Sequence, residues 1–106
     1  RMEYLRVKKQ ADFQKLFSKG RRAFSPSLTM ICMPSPQTPM GISVGKRHGK
    51  SVQRNRIKRL LREAFRAELK EMKGTWTIVL VPKVRDEYEL STFKKHLKCM
   101  IKKEKL

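Results

Sequence analysis

The sequence predicts an α+β fold, an α/β sandwich in which a small mixed sheet packs against helices in the order α-β-β-α-β-α. Three observations carry that prediction. Across residues 52–72, Ile57, Leu60, Leu61, Ala64 and Phe65 recur at helical spacing and form one apolar stripe. Residues 75–81 are a β-rich, nearly continuous apolar run, the pattern of a central strand covered on both faces. Residues 90–103 return to helical spacing, with Phe93, Leu97, Met100 and Ile101 on one side and lysines on the other. A sheet covered on both faces and helices with one apolar stripe each must bury those surfaces against one another.

The remaining elements follow in chain order. Residues 12–18 read as a short helix, because Phe13, Leu16 and Phe17 sit at i, i+3 and i+4, and Gly20 is placed to stop it. Residues 24–33 read as one strand: Leu28, Met30 and Cys32 point one way, and Thr29, Ile31 and Met33 the other. Three prolines in residues 34–39 remove ladder donors and make a loop. Residues 40–46 resemble a second strand, expected to pair with the first as a hairpin across that loop. Ser51 is the expected N-cap of the long helix, Gly74 its end, and Pro82 closes the strand that follows. No internal repeat or low-complexity linker divides the 106 residues, so residues 1–106 read as a single domain.

Charge narrows the function. Lys and Arg number 27 against 9 Asp and Glu, a formal net charge of +18. Hydrophobic residues still make up 39% of the chain, with five Phe and a Trp, which excludes a disordered basic tail. A folded domain so charged repels itself unless a polyanion neutralises it, which points to nucleic acid or an acidic membrane surface. The longest aliphatic run, Ile78-Val79-Leu80-Val81, falls far short of the ~20 residues of a membrane span, so no membrane partner is expected. The first nine residues lack an apolar signal region, and the chain is expected in the cytoplasm. Two cysteines, Cys32 and Cys99, with only two histidines make neither a disulfide framework nor a zinc site of known spacing.

The charge is concentrated. Residues 46–66 hold nine basic side chains and one acid, Glu63. On the long helix Asn55, Arg59, Arg62 and Arg66 fall on one stripe, roughly opposite Ile57, Leu60 and Ala64. Such a stripe suits a phosphate backbone, and the planar fork of Arg binds two phosphate oxygens at once. The bland alternative is a solvated face, but solvated faces ordinarily mix signs. Gly45-Lys46-Arg47-His48-Gly49-Lys50-Ser51 precedes the helix, where backbone N–H groups favour phosphate. Its glycines are too close together for a nucleotide-binding P-loop. His48 has no second His or carboxylate near it in sequence, which argues against a metal ligand or general base.

The run from Gly45 to Arg66, with Arg54-Asn55-Arg56 at its centre followed by Ile57-Lys58-Arg59, resembles the signature of the bacterial ribonuclease P protein subunit. Asp12-Phe13-x-x-Leu16-Phe17-x-x-Gly20 is similar to that family's first helix, and the resemblance covers nearly the whole chain. It implies a left-handed β-α-β crossover, against the general right-handed rule. It implies a large catalytic RNA as partner and precursor tRNA as substrate, the pair removing the 5′ leader with Mg²⁺ held mainly by RNA. Lys46, Arg47, Lys50, Arg54, Asn55, Arg56, Lys58, Arg59 and Arg62 match the motif that meets the catalytic RNA, and Arg66 extends the stripe. Phe13 and Phe17 match the aromatic positions of a cleft that holds the single-stranded leader, although helix spacing alone reads both as core. Counting from Gly20 places Ile31 where members of the family often have a cleft aromatic. Trp76, Ile78 and Leu80 read as core, while Tyr4 and Tyr88 suit either packing or stacking.

No catalytic residue is expected in the polypeptide. Metal-dependent cleavage of RNA needs clustered carboxylates, and the only dense group here, Asp86, Glu87 and Glu89, reads as a surface turn. A ribosomal or other structured-RNA-binding protein is the chief alternative. A DNA-binding helix-turn-helix fits less well, because a glycine-lysine loop rather than a short apolar helix precedes the basic helix. No DNA partner is expected.

Overall fold

The computed structural model describes residues 5–7, 9–36 and 38–106. Tyr4 lies outside them. The described elements are β1 (Leu5–Arg6), α1 (Gln10–Lys19), β2 (Arg21–Phe24), β3 (Leu28–Pro34), β4 (Pro39–Ile42), a 3-10 turn (Lys46–His48), α2 (Ser51–Leu69), β5 (Trp76–Pro82) and α3 (Leu90–Lys103). Five strands form one mixed sheet in the order β1-β4-β5-β3-β2. β4 and β5 run parallel with α2 as their crossover, and β3 runs antiparallel to both β5 and β2.

The most apolar run, β5, takes the centre, where both faces are covered. On one face Met30, Cys32, Ile78 and Leu80 pack beneath Ile57, Leu61, Ala64 and Phe65 of α2 and Phe93, Leu97 and Ile101 of α3. On the other, Ile31 and Val79 pack against Leu16 of α1, with Phe13, Met33 and Val81 around them. The sandwich is therefore α1, sheet, then α2 beside α3.

Three expectations are corrected. The strand expected over residues 24–33 is a hairpin, β2 and β3, turned at Ser25-Pro26-Ser27. Pro26 has no N–H to give a ladder. The Ser25 N–H donates to the Leu28 carbonyl at 3.1 Å, and Leu28 N–H donates back to Ser25 Oγ at 3.1 Å, closing the turn. The strand expected over residues 40–46 is shorter and does not pair with β3, because β5 lies between them. The proline-rich connection is no tight turn, and the apolar β5 wins the buried central place. Ser51 is the first residue of α2 rather than its cap; Lys50 occupies that position without a side-chain bond, and the helix ends at Leu69, well before Gly74. The short β1, parallel to β4, had no signal in the sequence.

Two glycines make room rather than turns. A Cβ on Gly20 would lie 2.5 Å from Ile31 Cγ2 and 2.6 Å from the Leu16 carbonyl oxygen, so glycine lets the end of α1 close onto the sheet. A Cβ on Gly41 would lie 2.9 Å from the Phe13 ring. Burial pushes the Cys32 thiol up from its ordinary value, with the nearby Arg21 guanidinium opposing. Cys99 is exposed on α3.

Candidate RNA interface

The basic stripe of the sequence is a surface groove in the fold. Asn55, Lys58, Arg59, Arg62, Glu63 and Arg66 line a groove of about 410 Å³ along α2. With Ile57, Leu61, Ala64 and Phe65 buried, the helical repeat turns these positions outward. Four cations and one carboxylate share that groove, so its field is strongly positive.

Not every motif residue joins it. Arg56 lies on the opposite flank and donates to the Tyr88 carbonyl at 3.1 Å, tying α2 to the loop before α3. Arg54 turns back toward the start of the helix, donating to Ser51 Oγ at 3.2 Å. Lys46, Arg47 and Lys50 are exposed on the 3-10 turn and at the N-terminus of α2, apart from the groove.

The loop that carries those lysines is built around His48, which is buried. Its Nδ1 accepts from the Gly45 N–H at 3.1 Å, so its Nε2 carries the proton and donates to the Pro82 carbonyl at 2.8 Å. Both ring nitrogens are thereby used in fastening the loop to the end of β5. Gly49 holds φ at 113°, a backbone conformation open to glycine, and lets the loop turn into α2. His48 is a structural residue, a role the sequence did not reveal.

The aromatic residues of α1 differ in exposure. Phe17 is 38% exposed, while Phe13 is partly buried over Gly41 of β4. Ile31 departs from the expectation: it is 0% exposed, sealed between Leu16, Gly20 and Val79, and offers no surface to a base. It is floor under α1 rather than wall of a cleft. Tyr88 packs on Phe93 and uses its hydroxyl on the Lys83 carbonyl and Arg85 N–H, so it is a structural ring. Trp76 is partly buried, with the Arg21 guanidinium 5.2 Å above its ring and Glu104 pairing that arginine at 3.1 Å.

A second groove, of about 230 Å³, joins the two regions. It is lined by Val7, Phe13, Met40, Gly41, Ile42, Lys58 and Arg62. Lys58 and Arg62 border both grooves, so the basic face of α2 runs around the β4 edge to the aromatic flank of α1. Sequence reasoning missed this junction, because Gly41 and Phe13 meet only through the sheet order. Carboxylates do not assemble near it: among the described residues, no group of three His, Cys, Asp or Glu is placed to hold a metal ion. Among the described residues, then, no set of donors is assembled to hold Mg²⁺.

Comparison with known proteins agrees with this geometry. The sequence model of the ribonuclease P family matches residues 2–105. The ribonuclease P protein component of Streptococcus mutans is 38% identical over 104 residues, covering 95% of this chain and 87% of that protein. That of Bacillus velezensis is 32% identical, covering 95% and 90%. The solved Staphylococcus aureus RNase P protein superposes with a TM-score of 0.83 at 26% identity, covering 97% of each chain. The Thermotoga maritima protein, at 23% identity and a TM-score of 0.82 over 92% of this chain and 96% of that one, shares the fold. This chain belongs to the ribonuclease P protein family, and as the protein subunit of that endoribonuclease it partners ribonuclease P RNA in tRNA 5′-end processing.

Proposed function

We propose that the α2 groove holds the catalytic RNA while the aromatic flank of α1 holds the single-stranded 5′ leader of precursor tRNA. The observation that carries this reading is the shared border of the two grooves at Lys58 and Arg62. One strand of phosphates can follow cations from α2 to Phe13 in the joining groove, one helical turn along α1 from the half-exposed Phe17. Of the six side chains on the α2 groove only Glu63 is acidic, and the joining groove has no acid. Aromatic rings in a basic groove are how proteins hold single-stranded RNA.

In this division of labour the polypeptide supplies affinity and position, and Mg²⁺ and the bond-breaking step belong to the RNA. The scatter of the carboxylates supports it. We place this activity in the cytoplasm, with the RNA the protein partners; separately, no described helix is long and apolar enough to cross a membrane. A ribosomal role would need the α2 groove but gives no purpose to an exposed aromatic beside it.

The test is Phe17→Ala in the reconstituted holoenzyme. Losing one stacked base costs about 1–3 kcal/mol, so binding of precursor tRNA should weaken while mature tRNA is held as before. Equal weakening of both, in a protein whose melting is unchanged, would remove Phe17 from the leader site.

A further inference from the structure

Beyond α1, the same sheet face carries a second exposed ring. Directly opposed residues of paired antiparallel strands point to the same side. The register pairs Arg22 with Ile31 and Phe24 with Thr29, and pairs Thr29 with Val81. Arg22 and Phe24 therefore share the face that packs under α1, whereas Arg21 and Ala23 face the α2–α3 side. Two independent contacts agree: Arg22 donates to the Phe17 carbonyl at 2.8 Å, and Ala23 belongs to the core beneath α2 and α3.

α1 does not cover this face evenly. Leu16 lies over Ile31 and Val79, and Phe13 over Gly41. Asp12 and Lys15 overlook the end of the sheet holding Met33, Pro34 and Thr77. Phe13 and Phe17 lie on the other flank of the helix, Phe13 over Gly41 and Phe17 beside Arg22, at the two ends of the row Gly41–Val79–Ile31–Arg22; Phe24–Thr29–Val81 is the next row on the same face. At the edge of that row Phe24 is 69% exposed, an apolar ring that the fold leaves in solvent. The Arg22 guanidinium stands 6.0 Å from the Phe17 ring, so Phe17, Arg22 and Phe24 form an exposed succession of ring, cation and ring. Arg22 and Phe24 are two residues apart on one strand, about 7 Å, or about two steps of a stacked single strand.

We propose that Phe24 and Arg22 extend the single-stranded RNA track past α1, Phe24 stacking a leader base and Arg22 meeting the adjoining phosphate. This rests on the reading of Phe17 as a leader contact. The occupant is argued from charge. None of Phe17, Arg22, Phe24, Thr29 and Val81 is acidic, and Arg22 is the cation of this face of the edge strand, its neighbour Arg21 being paired with Glu104 on the other face. A cation between two exposed rings favours a polyanion, and a charged edge strand opposes pairing of β2 with a second copy of itself.

The experiment measures binding of precursor tRNAs with leaders of increasing length, and of mature tRNA, to holoenzymes carrying Phe24→Ala, Phe24→Trp or Phe17→Ala. Phe24→Ala should weaken binding about 5- to 150-fold, the loss of one stacked base, but only once the leader passes a threshold length. Phe24→Trp should restore it. Phe17→Ala should weaken binding at shorter leaders too. Because Phe24 is so exposed, its replacement should leave thermal melting unchanged. If Phe17→Ala acts on the leader and Phe24→Ala has no effect at any length, the extension is wrong and the leader cleft stands. If neither substitution depends on the leader, both fall. A Phe24→Ala loss shared equally by mature tRNA, or one confined to self-association of the free protein in sedimentation, also overturns the proposal.

Discussion

Replacing Arg59 by Ala should flatten the salt dependence of binding to ribonuclease P RNA by a definite amount. The α2 groove is lined by four cations: Lys58, Arg59, Arg62 and Arg66. Each phosphate that a protein neutralises contributes about 0.7–0.9 to the slope of log affinity against log salt, depending on whether the strand is single or double. Four contacts give this groove a slope of about 3, so raising salt from 50 to 200 mM should weaken binding about 50- to 150-fold through these residues alone. Arg59→Ala should lower the slope by about 0.7–0.9, which makes the same salt step about threefold less damaging. Arg59 is exposed, and its truncation leaves the packed face of α2 intact. The assay is a binding titration with transcribed ribonuclease P RNA at fixed Mg²⁺ and varied KCl. Lys94→Ala, on the exposed side of α3, serves as the comparison and should change the slope little. An Arg59→Ala protein with unchanged slope and affinity would refute the assignment and return Arg59 to a merely solvated face.

Other perturbations test other parts of the structure. Gly20→Ala forces a Cβ to within 2.5 Å of Ile31 Cγ2 and 2.6 Å of the Leu16 carbonyl, so it should destabilise the fold by about 1–3 kcal/mol in denaturant unfolding; full stability would mean that α1 docks otherwise. Arg56→Ala should lower thermal stability by freeing the Tyr88 loop while changing the salt slope less than Arg59→Ala does, and the reverse order would put Arg56 on the RNA. A thiol reagent at neutral pH should modify exposed Cys99 quickly and Cys32 only on unfolding, since burial both shields that thiol and raises its pKa; two fast equivalents in the native protein would contradict the packing. The protein alone with Mg²⁺ should not cleave precursor tRNA, as its carboxylates do not cluster, and cleavage at the correct site by RNase-free protein would overturn the division of labour.

What the sequence determined by itself was whatever depends on local periodicity. The α2 stripe is set by a 3.6-residue repeat, so Asn55, Arg59, Arg62 and Arg66 were legible as one face before any fold was known, and they do line one groove. Leu90–Lys103 was legible for the same reason. The loop-fastening role of His48 was not, since the sequence argued only against a metal ligand or general base, and its partner Pro82 is 34 residues away. What tertiary structure decided was every relation between segments. Read as one strand, residues 24–33 give Phe24 the same parity as Leu28, Met30 and Cys32, which are core. The turn at Ser25–Ser27 reverses the chain, pairs Phe24 with Thr29, and so moves it to the opposite face and into solvent. Period two cannot reveal such a reversal, because the length of the turn, odd or even, decides whether the residues beyond it keep their face or change it. The place of β5 between β3 and β4 was equally hidden, and with it the meeting of Phe13 with Gly41 and the junction at Lys58 and Arg62. Ile31 was assigned to a cleft by its position in a pattern, yet its exposure depended on how closely α1 approaches the sheet. That distance is set by Gly20, whose missing side chain allows Leu16 to seal Ile31 from any ligand.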